Sequence, residues 1–473
     1  MADERGGAVR TTSIPGLLIV DLVLHGDDRG WFKENWQREK MVKLGLPDFG
    51  PVQHSVAMNA TAGVTRGFHA EPWDKLISVA DGRIFGAWVD LRDGPTFGVA
   101  ETLELGPDTA VFVPRGVANG YQTLTDGTVY SYLVNDHWSP EKRNAYGYLN
   151  LAEESLAIQW PIPLPEATMS DADKAHPRLT DVQPVQRRGT VVVGANGQLG
   201  RALMARLPSA IGVGRPEFDL SDPDSLGSVD WSRVDTIINA AAYTAVDDAE
   251  TLTGRRQAWA LNVEGVGRLC RIAAEHRITL VHVSSDYVFD GTVVEHDENE
   301  SPAPLSVYGQ TKAAGDALVG QLDRHYVIRT SWLIGDGRNF VSTMADLAGR
   351  GVSPAVVDDQ WGRLTFVDDL AQGIIHLLER RAPFGVWNIS NDGPVQSWAD
   401  IAGDIFELCG RERDAVSSVT SEEYALSRPD HRMAPRPRHS ALRLDKIVAL
   451  GFQPPEARER LAEYVAALRD GAT

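Results

Sequence analysis

The chain has 473 residues, of which 43% are hydrophobic and 23% charged, with no biased tract that would point to disorder or fibre. At roughly 100 to 200 residues per domain this predicts two or three domains. A formal net charge of −19 excludes nucleic acid or an anionic membrane as a partner held by bulk electrostatics, and leaves open an anionic small ligand met by a local cluster of Arg and Lys.

The N-terminal MADERGGAVRTT lacks the apolar core of a signal peptide, and no run approaches the length of a membrane span. Cys270 and Cys409 are too few for a disulfide framework and have no metal-ligand spacing. A cytoplasmic protein is expected.

From about residue 15 to 135, short apolar or alternating runs are broken by Gly, Pro and Asp, as in KLISVADGRIFGAWVDLRDGPTFG. Short strands at that spacing predict an all-β barrel or sandwich, with a jelly roll as the expected form. Inside it, GVTRGFHAEPWDK (63–75) carries Arg66, His69 and Lys75, which with Tyr132 form a candidate acid/base set. A histidine in a barrel is more often structural. Arg66 and Lys75 on strands lining a barrel, however, are costly to bury unless they meet an anion.

After WPIPLP (160–165), the stretch SDADKAHPRLTDVQPVQRRG has charges, prolines and no periodicity, and reads as a tail running into a linker. The predicted boundary is near 187, giving domains 1–187 and 188–473. Beyond it the pattern becomes apolar strand, Gly turn, helix, repeated through DTIINAAA, TLVHVSSDYVF and HYVIRTSWLI, which predicts an α/β domain with a doubly wound parallel sheet.

TVVVGANGQLGRAL (190–203) places Gly194, Gly197, Gln198, Leu199 and Gly200 between a β-branched strand and a helix. Such a turn lets a backbone approach a pyrophosphate that the helix N-terminus stabilises, although it also occurs as a plain strand-to-helix connection. Near the end of the second strand, Asp219 suits an adenosine ribose, whereas Arg215 suits a 2′-phosphate or is a solvated loop charge. Tyr308 and Lys312, four residues apart on a predicted helix, share one face, so the ammonium favours the phenolate and the phenol can deliver a proton to a developing alkoxide. Ser285, at a strand end before Asp286, is placed to hold the same carbonyl oxygen.

Residues 188–460 resemble the dTDP-4-dehydrorhamnose reductase family of extended short-chain dehydrogenases, through GANGQLG, NAAAYTAVDDAE, SSDYVFDG, PLSVYGQTK, RTSW, DDQWGRLT and RPRHS. The resemblance implies a Rossmann-type fold that uses NADPH or NADH, with Ser285, Tyr308 and Lys312 catalytic and Ser285 standing for the family's usual Thr. It implies cofactor contacts from Ala240, Ala241 and Ala242, and substrate contacts from Asp286, Trp332 and Arg436. Where some members bind magnesium through a Glu after the glycine turn, this chain has Ala202 beside Arg201, so no metal is expected. RPRHS carries His439 where the family has Asn.

Residues 10–175 resemble dTDP-4-dehydrorhamnose 3,5-epimerase, a cupin-type jelly roll, through DDRGWFKE, RGFH, KLISVADGRIF, VDLRDGPTFG, VPRGVANGY, YLVNDHWSP and IQWP. The resemblance casts His69 as base, Tyr132 as acid and Lys75 as enolate stabiliser. The family's base-orienting Asp is matched here to Glu153. Arg29, Glu34, Gln53 and Arg66 fall on nucleotide-binding positions, and Asn119 replaces a nucleotide-contacting His. Arg143 stands for an expected Glu, and Gly86 for an expected Asp.

The two resemblances together imply a bifunctional enzyme. The first domain would epimerise a dTDP-linked 4-keto-6-deoxyhexose at C3 and C5, and the second would reduce its C4 ketone to give dTDP-L-rhamnose. Alternatives are a single epimerisation giving another deoxysugar, a first domain that only binds, and a non-catalytic nucleotide-sensing or scaffold protein. A homodimer through the first domain is expected from the same resemblance.

Overall fold

Short strands over residues 53–134, alternating in burial at 53–59 and buried almost throughout at 75–79, 84–90 and 117–123, pair into two antiparallel sheets. The computed structural model describes residues 7–186, 188–429 and 432–471, so Arg187, the last residue of the predicted first domain, lies outside the described residues. The chain divides into two units, 1–187 and 188–473.

In the first unit, one sheet has six strands: β1 (Val9–Thr11), β2 (Leu18–Asp21), β5 (Gln53–Asn59), β7 (Lys75–Asp81), β10 (Thr109–Val113) and β12 (Thr128–Val134), in the order β1-β2-β10-β7-β12-β5. The other has five: β6 (Thr65–Ala70), β8 (Ile84–Asp90), β9 (Ala100–Leu105), β11 (Val117–Thr123) and β13 (Gly147–Tyr148), in the order β13-β6-β11-β8-β9. A separate hairpin, β3 (His25–Asp27) with β4 (Gly30–Phe32), joins neither sheet.

Ile77, Val79, Val111 and Tyr130 meet Ile84, Trp88, Leu105 and Tyr121 between the sheets. The outer face of the six-stranded sheet packs Leu76, Ala110 and Phe112 under Met41 of helix α1 (Arg38–Lys43). On the outer face of the five-stranded sheet, Phe68, Ala70, Val89 and Ala118 are covered by residues 149–185. The stretch expected as a linker is therefore wall rather than tether. Val182 is buried in that outer core, the Val185 N–H donates to the Leu91 carbonyl at 2.7 Å, and SDADK forms a short helix, α2 (Asp171–Lys174).

In the second unit, six parallel strands form one sheet: β14 (Gly189–Val193), β15 (Ile211–Val213), β16 (Val234–Asn239), β17 (Thr279–Val283), β19 (His325–Arg329) and β20 (Gly385–Asn388), β18 (Glu295–His296) pairing elsewhere. Their order is β15-β14-β16-β17-β19-β20. Strand succession thus reverses at β14, which opens a crevice beyond the C-terminal ends of β14 and β16. Leu199 and Leu203 of α3 (Gln198–Arg206) pack on one face together with Leu370 and Ile374, and Val266, Leu269 and Ala273 of α5 (Val266–His276) pack on the other. No described helix is long and apolar enough to cross a membrane.

Candidate active sites

In the first unit, β6 carries both Arg66 and His69. Three residues apart on a regular strand, they would face opposite sides. Here His69 pairs with Asn119 and Arg66 with Tyr121, so the pairing register shifts between them and two residues of β6 oppose one of β11. Gly67 in that gap has φ +118, and a Cβ there would lie 2.6 Å from the Asn119 carbonyl oxygen. Phe68 and Ala70 turn to the outer core, while Arg66 turns inward, its Nε donating to Asn59 Oδ1 at 3.3 Å. Tyr121, beside Arg66 in the same sheet, donates to the same oxygen of Asn59 across the sandwich, and burial holds its phenol above the ordinary value while Arg66 opposes the rise.

His69 Nε2 donates to Asp173 Oδ1 at 2.9 Å. A carboxylate only accepts, so this bond leaves His69 Nδ1 as the free basic nitrogen. Burial pushes the Asp173 carboxyl up, but His69, Ser170 and His176 together outweigh it and the group sits below its ordinary value, as an anion. Asp173 is held on α2 by its own N–H, which donates to Ser170 Oγ at 3.1 Å. The rings of His176 and Tyr148 stand against His69 at 5.4 and 5.7 Å.

Glu153, expected to orient His69, does not touch it. Its carboxylate accepts from the Leu179 N–H at 2.9 Å and from Ser155 Oγ at 2.7 Å, tying the loop before α2 to the chain after it. Lys75, 6% exposed, is ion-paired with Glu71, and its Nζ lies 4.5 Å from the centre of the Tyr132 ring. Asn119 Nδ2 donates to the Tyr130 hydroxyl at 3.2 Å, while its buried Oδ1 has no hydrogen-bond partner among the described residues. Asp173, Glu71, Asn59 and Tyr121 were not singled out from sequence. The Ser170-x-x-Asp173 spacing is a helix-start signature that marks the first of them.

In the second unit, the glycine turn and Ala240–Ala242 meet at the crevice. Gly194 has φ +83, and a Cβ on it would lie 2.7 Å from the Ala241 nitrogen. A Cβ on Gly200 would lie 2.1 Å from the Gly194 carbonyl oxygen. That closeness keeps the start of α3, capped by Gly197 with Gln198 as its first residue, against the strand end, as a pyrophosphate cradle requires. Tyr308 and Lys312 lie on α6 (Val307–Val319), and Ser285 opens the turn after β17. Burial raises the Tyr308 phenol above its ordinary value, and the neighbouring Ser285 hydroxyl opposes the rise. Burial also brings Lys312 down to about 8, Asp316 working the other way. Lys312 Nζ donates to the Val283 carbonyl at 2.6 Å, and Ser285 Oγ donates to Asp286 Oδ1 at 2.9 Å. Asp286 is itself raised to about 6, first by burial.

A family model described as RmlD substrate binding domain matches residues 188–470, and one described as dTDP-4-dehydrorhamnose 3,5-epimerase matches residues 11–181. The Protein RmlC homolog of Streptococcus pyogenes serotype M6 is 50% identical over 178 residues, which are 37% of this chain and 89% of that protein. The dTDP-4-dehydrorhamnose reductase of Aggregatibacter actinomycetemcomitans is 35% identical over 291 residues, 57% of this chain and 96% of that protein. The chain belongs to both families. A solved dTDP-4-dehydrorhamnose reductase from Bacillus anthracis, in complex with NADP, superposes with a TM-score of 0.54 at 32% identity, covering 59% of this chain and 99% of that one.

The remaining expected residues divide between the two family units. In the epimerase-family unit, Arg29 is exposed and paired with Asp27 on the β3–β4 hairpin, and Glu34 is paired with Lys40. Among the described residues neither makes a hydrogen bond or ion pair with His69 or Lys75. Gln53 accepts from the Trp138 N–H at 3.0 Å. In the reductase-family unit, Leu199 is buried in the core under the sheet instead of facing the crevice, because its place on α3 puts it beneath the sheet face. Asp219 turns its carboxylate to Ser221, Oδ1 accepting from N–H and hydroxyl at 2.9 and 2.7 Å, with exposed Arg215 near enough to act on it. Trp332, at φ +44, stacks on Trp398 at 3.8 Å, and Arg436 pairs with Asp247 at 2.9 Å while leaning on Tyr287.

Proposed function

We propose that residues 1–187 form a cupin-type jelly roll that epimerises a dTDP-linked 4-keto-6-deoxyhexose at C3 and C5. Residues 188–473 form a Rossmann-type, extended short-chain dehydrogenase domain that reduces the C4 ketone with NADPH or NADH, giving dTDP-L-rhamnose. One observation carries this reading: a His–carboxylate pair opposite a Lys–Tyr pair in one unit, and a buried Ser-Tyr-Lys set beside a glycine cradle in the other.

The C4 ketone acidifies its neighbouring C–H bonds. His69 Nδ1, oriented by Asp173, takes the proton. The Lys75 ammonium stabilises the enolate oxygen, and Tyr132 returns a proton on the opposite face with inversion. Arg66 and Gln53 hold the diphosphate and base. For the second step the Gly194–Gly200 turn would hold the pyrophosphate of NADPH or NADH and Ala240–Ala242 its nicotinamide and ribose, and the bound cofactor would supply the hydride. Ser285 and Tyr308 hold the ketone oxygen, Tyr308 donates the proton, and the Lys312 ammonium keeps the resulting phenolate affordable in a buried site.

Incubation with dTDP-4-keto-6-deoxyglucose in deuterated water tests the reading: deuterium at both C3 and C5, then one equivalent of NADPH oxidised. Absence of deuterium from a folded protein removes the epimerase half. A homodimer through the first unit is part of this proposal, supported by Trp31, Phe32, Val56 and Met58, which expose 44, 67, 60 and 64% of their surface on the hairpin and the edge strand β5. Light scattering that gives twice the 51.6 kDa chain mass is the expected result. The free, partly buried Cys270 and Cys409 suit a reducing cytoplasm.

A further inference from the structure

Directly beneath Lys312 lies a histidine that the reaction described above does not use. His282 of β17 is fully buried, and its cross-strand partner is Asn239 of β16. The Ala241 N–H donates to Asn239 Oδ1 at 3.2 Å, and a backbone N–H can only donate, so the amide nitrogen of Asn239 is the atom facing His282 Nδ1 at 3.1 Å. His282 Nδ1 is therefore an acceptor, and the single hydrogen of the neutral ring sits on Nε2. Burial, and secondarily Lys312, hold this imidazole far below its ordinary value, so it stays neutral.

Nε2 points into the gap between Lys312 Nζ, 3.3 Å away, and Asp316 Oδ1, 4.0 Å away, on a buried carboxylate that the Ser284 hydroxyl and Arg329 also face. An ammonium has no lone pair, so the Nε2–H finds no acceptor in charged Lys312, and Asp316 Oδ1 at 4.0 Å lies beyond hydrogen-bond reach. Once Lys312 gives up its proton, its lone pair accepts that same N–H. The other ionisable groups around this point are Tyr308 on α6, Arg329 on β19, which pairs with Asp316 at 3.5 Å, and Asp286 and Tyr287 after β17. Arg329 neutralises part of Asp316's pull on Lys312. Among the described residues that Lys312 touches, His282 is thus the one whose hydrogen bonding favours neutral Lys312 over the ammonium.

We propose that His282 is a positioning residue of the reduction: acting only through Lys312, it sets the pH above which ketone reduction fails. The inference rests on Tyr308 and Lys312 being the reducing pair. In the full chain, His282→Phe keeps the volume and His282→Asn keeps a partner for Asn239, while neither keeps an N–H towards Lys312. Both should raise the alkaline midpoint of kcat for ketosugar-dependent NADPH oxidation by about one pH unit, with KM for the ketosugar unchanged. His282→Gln, which restores a donor near Nε2, should return the midpoint to that of the parent chain.

A second readout needs no cofactor. The lysine side-chain carbon resonances of the free chain, with Lys312 assigned by its Met variant, should show the same upward shift in the Phe and Asn variants. Unmoved midpoints in both measurements overturn the proposal, as do midpoints that fall. If Tyr308→Phe leaves reduction intact, the underlying assignment fails instead. An inactive Tyr308→Phe with unshifted His282 variants defeats this proposal alone.

Discussion

Exchanging one atom in a carboxylate should separate the two acids near His69. Asp173→Asn keeps the shape but replaces the accepting oxygens with an amide that no longer fixes which ring nitrogen is free. Deuterium uptake at C3 and C5 is then expected to fall by about 10²-fold or more, within the range typical of general-base losses. Glu153→Gln should leave uptake near that of the parent chain, since its bonds run to Ser155 and Leu179. A rate-by-NMR comparison of the two variants decides between them. The titration of Lys312 has a second consequence at this scale. Its ammonium is the working form and burial lowers its hold on the proton to about 8, so reduction should be full below that pH and decline as pH rises through it. Tyr308, raised above its ordinary value, stays protonated across the same window, so it is not the group that fails. A profile of NADPH oxidation from pH 6 to 10 at saturating ketosugar shows which limb moves.

At the level of elements, both sites depend on backbone that only glycine can supply. Gly67→Ala adds a Cβ at 2.6 Å from a carbonyl oxygen and at φ +118, a conformation L side chains rarely adopt. The variant should lose deuterium uptake and lower the first unfolding transition in calorimetry, with NADPH binding preserved. Gly200→Ala presses on the Gly194 carbonyl at 2.1 Å and should do the reverse, weakening NADPH binding in a fluorescence titration while deuterium uptake stays. The strands and the glycine turn were legible in sequence because their signals are local: period-2 alternation, β-branched runs, and glycine between strand and helix. The role of SDADK was not, because its meaning lies in reaching across about a hundred residues to His69, and four residues of helix give no periodicity to read. Glu153 stands where the resemblance puts the base-orienting Asp, and nothing local in the sequence marks that its carboxylate serves a turn.

For the whole molecule, two acid/base sets in separately packed units predict separable losses. Tyr308→Phe should abolish ketosugar-dependent NADPH oxidation and leave deuterium uptake unchanged. His69→Ala should stop uptake yet still allow reduction of ketosugar epimerised beforehand by the parent chain. Mixing the two variants should restore the complete conversion, read as L-rhamnose product by NMR. Two unlike architectures were legible from the change of pattern near residue 187, since a sandwich alternates with period 2 and a doubly wound sheet interleaves buried strands with helices. What covers the outer face of the five-stranded sheet was not legible, because residues 149–185 are irregular and become apolar wall only through Leu149, Leu151, Trp160 and Val182.

The register shift in β6 also makes an odd number meaningful. Two groups that share a face of a flat strand must be separated by an even count, and Arg66 and His69 are three apart. An extra residue between them would turn the strand on one side of the insertion onto its other face, and loss of one would remove the bulge that seats Gly67 against β11. Spacing in RGFH is consequently under tighter constraint than the identity of its phenylalanine, and a library that varies loop lengths in this protein should find these four positions the least tolerant of all.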